Sequence, residues 1–436
     1  MIALLFKAHH HLFKNKLKRQ LSLPTLTLIG IGSTIEASIF MLISPAAAIA
    51  GVYLPLAYLV GGLIVIAIAL VYAEIATSMP YEGADLHFIY KAFTSRRLSF
   101  VIAWMIILGD LSYLALNAIG FGSYLNILKI DYTVLAVVAI IIVTVLNLYG
   151  IKRAGLIEDG LTIVLLIFFI IFLVMLAYFG KPVDPFFAKV NQKTIWSILP
   201  ALSLIFTSFI GYEDIASIAE EVKNPSKNIP RALILTVIIT TTIYFLVALM
   251  LTRYVPIYRL AHSQTPLLLA AEIYHLPKIL VSMAALFAII STLIITLLVA
   301  SRKLYAMAEE GFYKKLLLPL NRFEAPTMPI IICAVLAIAI ILTRSLTFIA
   351  YLGNSVYLAG VIITTIALIK MRRISPHLHR PFKLPLYPYL AYAIIIASVI
   401  IFIMIDIKIL FIAGLWIILG FGLHHHSRRL NKARSS

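Results

Sequence analysis

Four carboxylates of this chain stand in stretches that are otherwise apolar: Glu36, Asp110, Glu213 and Asp214. An acid removed from water must be compensated by a base, a proton or a cation, so acids in such places mark proton relays and cation sites. Even lenient insertion scales put the cost of each at about 2.5–3.5 kcal/mol. Glu36 lies in GIGSTIEASIF, Gly30 to Phe40, among Gly30, Gly32, Ser33, Ala37 and Ser38. Glu213 and Asp214 close SFIGYED, after Ser208, Phe209, Gly211 and Tyr212. Glycine and hydroxyl residues beside an acid in mid-run weaken a helix and release backbone N–H and C=O groups for a ligand. Glycines that merely let helices cross closely are the alternative, and it weakens when two such clusters each carry an acid. The basic residues fall in loops or at run edges, so no mid-run Lys or Arg is expected to pair with these acids. Either some are protonated, or the counter-charge arrives with the ligand. Asp110 could instead bond to Ser112, Tyr113 or Asn117 as a structural acid, and Asp214 could face another helix or water. Glu74, at the end of an apolar run, reads as a solvated terminal residue or as a gate partner for a loop base.

The elements that hold these residues follow from composition. Of 436 residues 62% are apolar and 12% charged, and mean hydropathy is +1.03. So few charges cannot cover a soluble domain, and apolar runs of about 20 residues are too long for barrel strands. The fold class is an all-α polytopic membrane protein of about twelve spans. They fall at 22–50, 54–78, 97–127, 132–150, 155–180, 195–220, 230–254, 277–300, 327–343, 346–370, 386–405 and 408–424. Interruptions in the first and sixth runs predict an inverted repeat of roughly five plus five helices, 22–180 and 195–373. Residues 1–21 form a basic amphipathic segment without a cleavage site, suited to the membrane surface, and 425–436 a basic tail. With the N-terminus in the cytoplasm, about three quarters of the 36 Lys and Arg lie on the inner side, which places both termini there and the chain in the plasma membrane. The net charge of +18 therefore reports orientation and contact with anionic lipid, not a nucleic-acid partner. The single Cys333 excludes an internal disulfide, and no histidine shows metal-ligand spacing within a span or joins a nucleophile motif. No catalytic set, metal or cofactor is expected.

GIGSTIEASIF resembles the first-helix motif of the amino acid–polyamine–organocation permeases. FTSFIGYEDIASIAEEVKNPSKNIPRA, Phe206 to Ala232, is similar to that family's sixth helix and following loop, as are NLYGIKRAG (147–155), ASRKLYAMAEEG (300–311) and RPFKLP (380–385) to its other motifs. The resemblance implies a transport core of about ten helices within 22–373 and two accessory helices within 374–424. It also implies alternating access driven by an ion gradient, with substrate between helices one, three, six and eight.

The departures bear on substrate. Most relatives have glycine at the positions of Glu36 and Ser38, and their first-helix amides take the substrate's carboxylate. A carboxylate about 5 Å from Glu36, at an effective dielectric near 20, would be repelled by about 3 kcal/mol. The usual Gly-Gly pair reads Gly83-Ala84, the helix-five lysine of some proton-coupled relatives aligns near Leu165, and Thr207 stands where some have a gating aromatic. Ser291 and Thr292 match hydroxyls that hold sodium in relatives of this fold, or they bond back to their own helix. The expectation is a permease for a small amine-bearing solute, leaning to a polyamine or basic amino acid, driven by H+ or Na+. Substrate contacts would come from the two breaks and Asp110, and coupling or gating from Glu36, Glu213, Asp214, Ser291 and Thr292. Three alternatives stand beside it: a neutral amino-acid permease with Glu36 protonated and used in coupling, an inorganic cation pathway such as one for potassium, and a non-transporting nutrient sensor.

Overall fold

A computed structural model describes residues 20–79, 84–125, 130–149, 155–183, 194–309 and 317–433. The N-terminal segment to residue 19, Gly83, part of NLYGIKRAG and the last three residues of the tail lie outside them. The helices are α1 Leu23–Thr34, α2 Ala37–Met41, α3 Ile43–Ala50, α4 Leu54–Ser78, α5 Ala84–Phe93, α6 Arg96–Tyr124, α7 Tyr132–Leu148, α8 Gly155–Phe179 and α9 Ile198–Ile205. After them come α10 Asp214–Ser217, α11 Pro225–Tyr254, α12 Ile257–Ala261, α13 Pro266–Ile273, α14 Lys278–Glu309, α15 Thr327–Ile341, α16 Leu346–Ile374, α17 Tyr389–Ile403 and α18 Ile407–Ala433. Among the described residues β-pairing is limited to two isolated bridges, Leu21 with Val222 and Leu320 with Pro326.

Among the described residues seven helical stretches are long and apolar enough to cross a membrane, and α17 with α18, bent by 107°, makes an eighth if the pair is one span. Three shorter apolar helices, α1, α7 and α15, accompany them. The chain is a polytopic helical membrane protein. Its lipid-facing surfaces are legible in α8, where Ile163, Val164, Ile167, Ile170 and Val174 are exposed along one face. Phe168 and Phe169 turn the other way, with ring centroids 6.2 and 5.6 Å from that of Phe40. An apolar exposed stripe opposite a packed one is the pattern of a helix between lipid and protein.

The first run, 22–50 in the sequence, is divided rather than continuous. Ile35 and Glu36 leave α1 in extended conformation, with φ/ψ of −88/103° and −142/−158°. Between Ser197 and Val222 only α9 and the single turn α10 are α-helical, with 3-10 turns at Phe206–Phe209 and Ala219–Glu221. Gly211 has a φ of +115°, a region that favours glycine. The freed backbone groups find partners: Tyr244 of α11 donates to the Thr34 carbonyl at 2.8 Å, and Tyr124 of α6 to the Phe40 carbonyl at 2.9 Å.

Two boundaries differ from the sequence expectation in ways that matter. The span expected to end at residue 300 continues as α14 to Glu309, because SRKLYAMAE consists largely of good helix formers. The outer segment 255–276, expected as loop, folds into the short helices α12 and α13.

Candidate functional site

The two interruptions meet. A Cβ on Gly211 would stand 2.2 Å from the Ser33 carbonyl oxygen, so the second break passes directly against the first. Gly30 packs as closely on the second broken run and on α11, where a Cβ would lie 2.5 Å from Ile215 Cδ1 and 2.6 Å from Thr236 Oγ1. Just before α1 and just after the second break, the Gln20 and Leu21 N–H groups donate to the Glu221 carbonyl at 2.8 and 3.0 Å, fastening the segments together. Glycine is needed here for approach, and at Gly211 for backbone conformation as well.

At this crossing Glu36 is fully buried. Asn117 of α6 donates from Nδ2 to Glu36 Oε2 at 2.5 Å and to its own helix's Tyr113 carbonyl at 2.9 Å. Asn117 Oδ1 in turn accepts from the Ala37 N–H, at 3.4 Å, the first amide of α2. Glu36 Oε1, Ser38 Oγ and the Tyr113 hydroxyl are buried without a hydrogen-bond partner, as are Tyr58 OH and Ser208 Oγ. The Ser38 and Tyr113 hydroxyls lie beside the Glu36 carboxylate. Tyr58, Phe209 and Tyr244 pack together as an aromatic wall, with centroids 5.5–6.3 Å apart.

On the second break, Glu213 Oε2 accepts from the Gly211 N–H at 2.9 Å, and Tyr212 is buried with its hydroxyl 2.9 Å from that of Tyr357. Asp214 is exposed at the start of α10. Gly32 and Ser33 are half-buried in the last turn of α1, and Ala37 and Ser38 are buried in α2.

Asp110 stands apart from the others and corrects one expectation. It is paired: Lys303 Nζ lies 2.8 Å from Asp110 Oδ2, delivered by the extra length of α14. Ser112 bonds to the Leu108 carbonyl and Asn117 to Glu36, so neither serves Asp110 as the local pattern suggested. Glu74 decides between its two expectations: it is fully buried and not solvated, and it partners bases that the sequence placed in an inner segment. Arg372 donates to it at 2.9 and 2.5 Å, Arg380 lies at 3.3 Å and the Leu384 N–H donates at 2.7 Å. Thr292 Oγ1 donates to Ala288 of its own helix at 3.0 Å, and Ser291 beside it is half-buried. Thr207 bonds to Asn354 at 2.6 Å, and Asn354 donates to the Ser203 and Leu204 carbonyls, joining α9 to α16. Sequence reasoning weighed Asn117 and Tyr113 only as neighbours of Asp110 and passed over Tyr58, Tyr244 and Lys303. One usable signal existed for Asn117: a fully buried amide in a membrane helix needs a polar partner from another helix.

Interrupted helices crossing at a buried acid belong to a polytopic membrane protein whose freed backbone groups lie inside the helical bundle. The amino acid permease family matches residues 21–422, and the chain belongs to that family, within the amino acid–polyamine–organocation superfamily. It is a transporter and not an enzyme. It is 26% identical to the branched-chain amino acid permease of Bacillus subtilis (strain 168), over 86% of this chain and 85% of the relative. It is 25% identical to the methylthioribose transporter of the same organism, over 85% of each. A cationic amino acid transporter of Arabidopsis thaliana is 26% identical, over 70% of this chain and 54% of its own.

Proposed function

We propose that the protein is a secondary active permease of the plasma membrane that imports a small amine-bearing solute, with preference for a cation such as a polyamine or basic amino acid. Inward H+ or Na+ flow would drive alternating access, in a core of two inverted repeats with both termini in the cytoplasm. One contrast carries the cationic preference. Among the described residues two acids are fully buried, Glu36 and Glu74; Glu74 is met by two arginines, whereas Glu36 is met by the neutral Asn117 amide. A buried carboxylate held by a neutral partner remains undercompensated by several kcal/mol, which a substrate ammonium can supply on arrival. Glu213, on the facing break, would add to the same negative field.

The second reading is a neutral amino-acid permease in which Glu36 is protonated and serves coupling. The relative named for branched-chain amino acids favours it. The relative named for methylthioribose, a solute without a carboxylate, shows that the family name alone does not fix the cargo. Uptake of labelled spermidine, arginine and alanine into proteoliposomes separates the readings. Saturable spermidine or arginine uptake driven by an imposed ion gradient supports the first. Alanine uptake unaffected by excess spermidine and arginine would sink it in favour of the second.

A further inference from the structure

We propose that the break in the first span binds a primary ammonium group, and that the solute carries no carboxylate at that end. The inference rests on the permease reading and narrows the cationic class within it. Glu36 is the residue that precedes α2, and its side chain makes no capping bond to that helix. The Ala37 N–H, the first amide a solute's carboxylate would meet, is directed at Asn117 Oδ1. A second carboxylate about 5 Å from Glu36 would be disfavoured on the order of a hundredfold at an effective dielectric near 20.

What the break does offer is acceptors. Glu36 Oε1, Ser38 Oγ and Tyr113 OH are three buried oxygens on one small site; the two hydroxyls stand close enough to act on the carboxylate, and none of the three has a partner in good hydrogen-bond geometry outside this group. A primary ammonium carries three N–H donors and no acceptor, so each oxygen can take one, the carboxylate in a charge-assisted bond. A quaternary ammonium has no N–H to give them. Asn117 decides which carboxylate oxygen is left for the solute, because its two N–H groups go to Glu36 Oε2 and the Tyr113 carbonyl. It is a positioning residue, holding Glu36 and blocking the Ala37 amide at once.

The test uses the full chain purified in detergent and four ligands in calorimetric titration. They are 1,4-diaminobutane, 2,5-diaminohexanedioic acid (the same diamine with a carboxylate beside each ammonium), the bis-trimethylammonium analogue of the diamine, and leucine. The expected result is that diaminobutane binds ten- to a hundredfold tighter than the diamino diacid and at least tenfold tighter than the quaternised analogue, roughly as the charge repulsion and lost N–H donors require. Tyr113→Phe and Ser38→Ala should each weaken diamine binding about three- to tenfold with little change in thermal stability. Asn117→Leu should narrow the diamine-to-diacid ratio, a change that general loosening of the fold does not produce. Equal affinity for diamine and diacid, or for diamine and its quaternised analogue, overturns this proposal while leaving a cation-selective permease. Leucine binding with none from diaminobutane overturns it together with the cationic reading.

Discussion

Replacing Glu74 by alanine should open the end of the bundle where α4 meets α16, and the size of the effect follows from the contacts. The Glu74 carboxylate is fully buried, and the Arg372 and Arg380 side chains it holds are 18% and 7% exposed. Removing one partner of a buried pair costs about 3–5 kcal/mol, because the remaining charge stays out of water. Arg380 also donates to the Met371, Ser375 and Leu378 carbonyls at 2.9–3.1 Å, and Arg372 lies 3.9 Å from the Tyr387 ring centroid. Those contacts survive the substitution, so the lower end of that range, about 3 kcal/mol, is the better estimate. At about 1.4 kcal/mol per decade this is roughly a hundredfold shift towards local opening. The Leu384 N–H reports it directly, since its acceptor is Glu74 Oε2 at 2.7 Å. Hydrogen exchange followed by mass spectrometry on peptides covering 380–388 should show about two decades of lost protection in Glu74→Ala. The double variant Glu74→Ala/Arg372→Leu should recover part of it by removing a stranded charge. Unchanged protection in Glu74→Ala would refute the view that this carboxylate fastens the segment between α16 and α17.

Three further outcomes are expected. Gly211→Ala should cost about 1–3 kcal/mol and abolish uptake, since φ of +115° and a Cβ position 2.2 Å from the Ser33 carbonyl oxygen leave no room between two backbones; thermal unfolding and proteoliposome uptake check it. In a cycle of Asp110→Asn and Lys303→Gln the double variant should be more stable than the sum of the singles implies, by about 0.5–3 kcal/mol, as read from thermal denaturation in detergent. Asp131, outside the spans, has its carboxyl held below the usual value by its bond to Arg344, with the Thr133 N–H adding to the effect. A pKa lowered by folding stabilises above the unfolded value of about 3.9 and ceases to do so as pH falls through the folded value. The thermal-stability gap between the parent and Asp131→Asn should therefore stay level from about pH 8 to 5 and close below about pH 4.

Local signals in the sequence carried the breaks, and long-range ones were lost. GIGSTIEASIF and SFIGYED announce themselves because glycine, hydroxyl groups and an acid interrupt an apolar run within a few residues. That the two breaks cross at Ser33 and Gly211 is a tertiary fact, anticipated only through the expected symmetry of the spans. Lys303 was placed in a loop because the apolar run stops at Ala300, yet hydropathy marks where lipid contact ends and not where a helix ends. The helix continues and brings the ammonium to an acid 193 residues away. Glu74 was left between solvent and a loop base for the same reason: its arginine partner at position 372 lies 298 residues along the chain. Asn117 was weighed against Asp110, about two turns away on its own helix, and its partner is 81 residues distant.

The buried acids separate by how they are compensated, and that separation is the strongest physical argument about where cargo binds. Arginines fixed in the chain neutralise Glu74 at all times, so its charge holds helices together and is available to nothing else. Asp110 has a tethered lysine and lies in the same category unless α14 moves. Glu36 has no base beside it: its hydrogen-bond partner is the neutral Asn117 amide, with the Ser38 and Tyr113 hydroxyls nearby. A permanent base beside Glu36 would make the site stable and inert, as at Glu74. On the proposed reading a mobile cation takes that place, and its occupancy would be worth several kcal/mol to the packing of two broken helices. Binding can then bias how the segments at Ser33 and Gly211 sit against each other, which is the condition for a solute to drive its own passage.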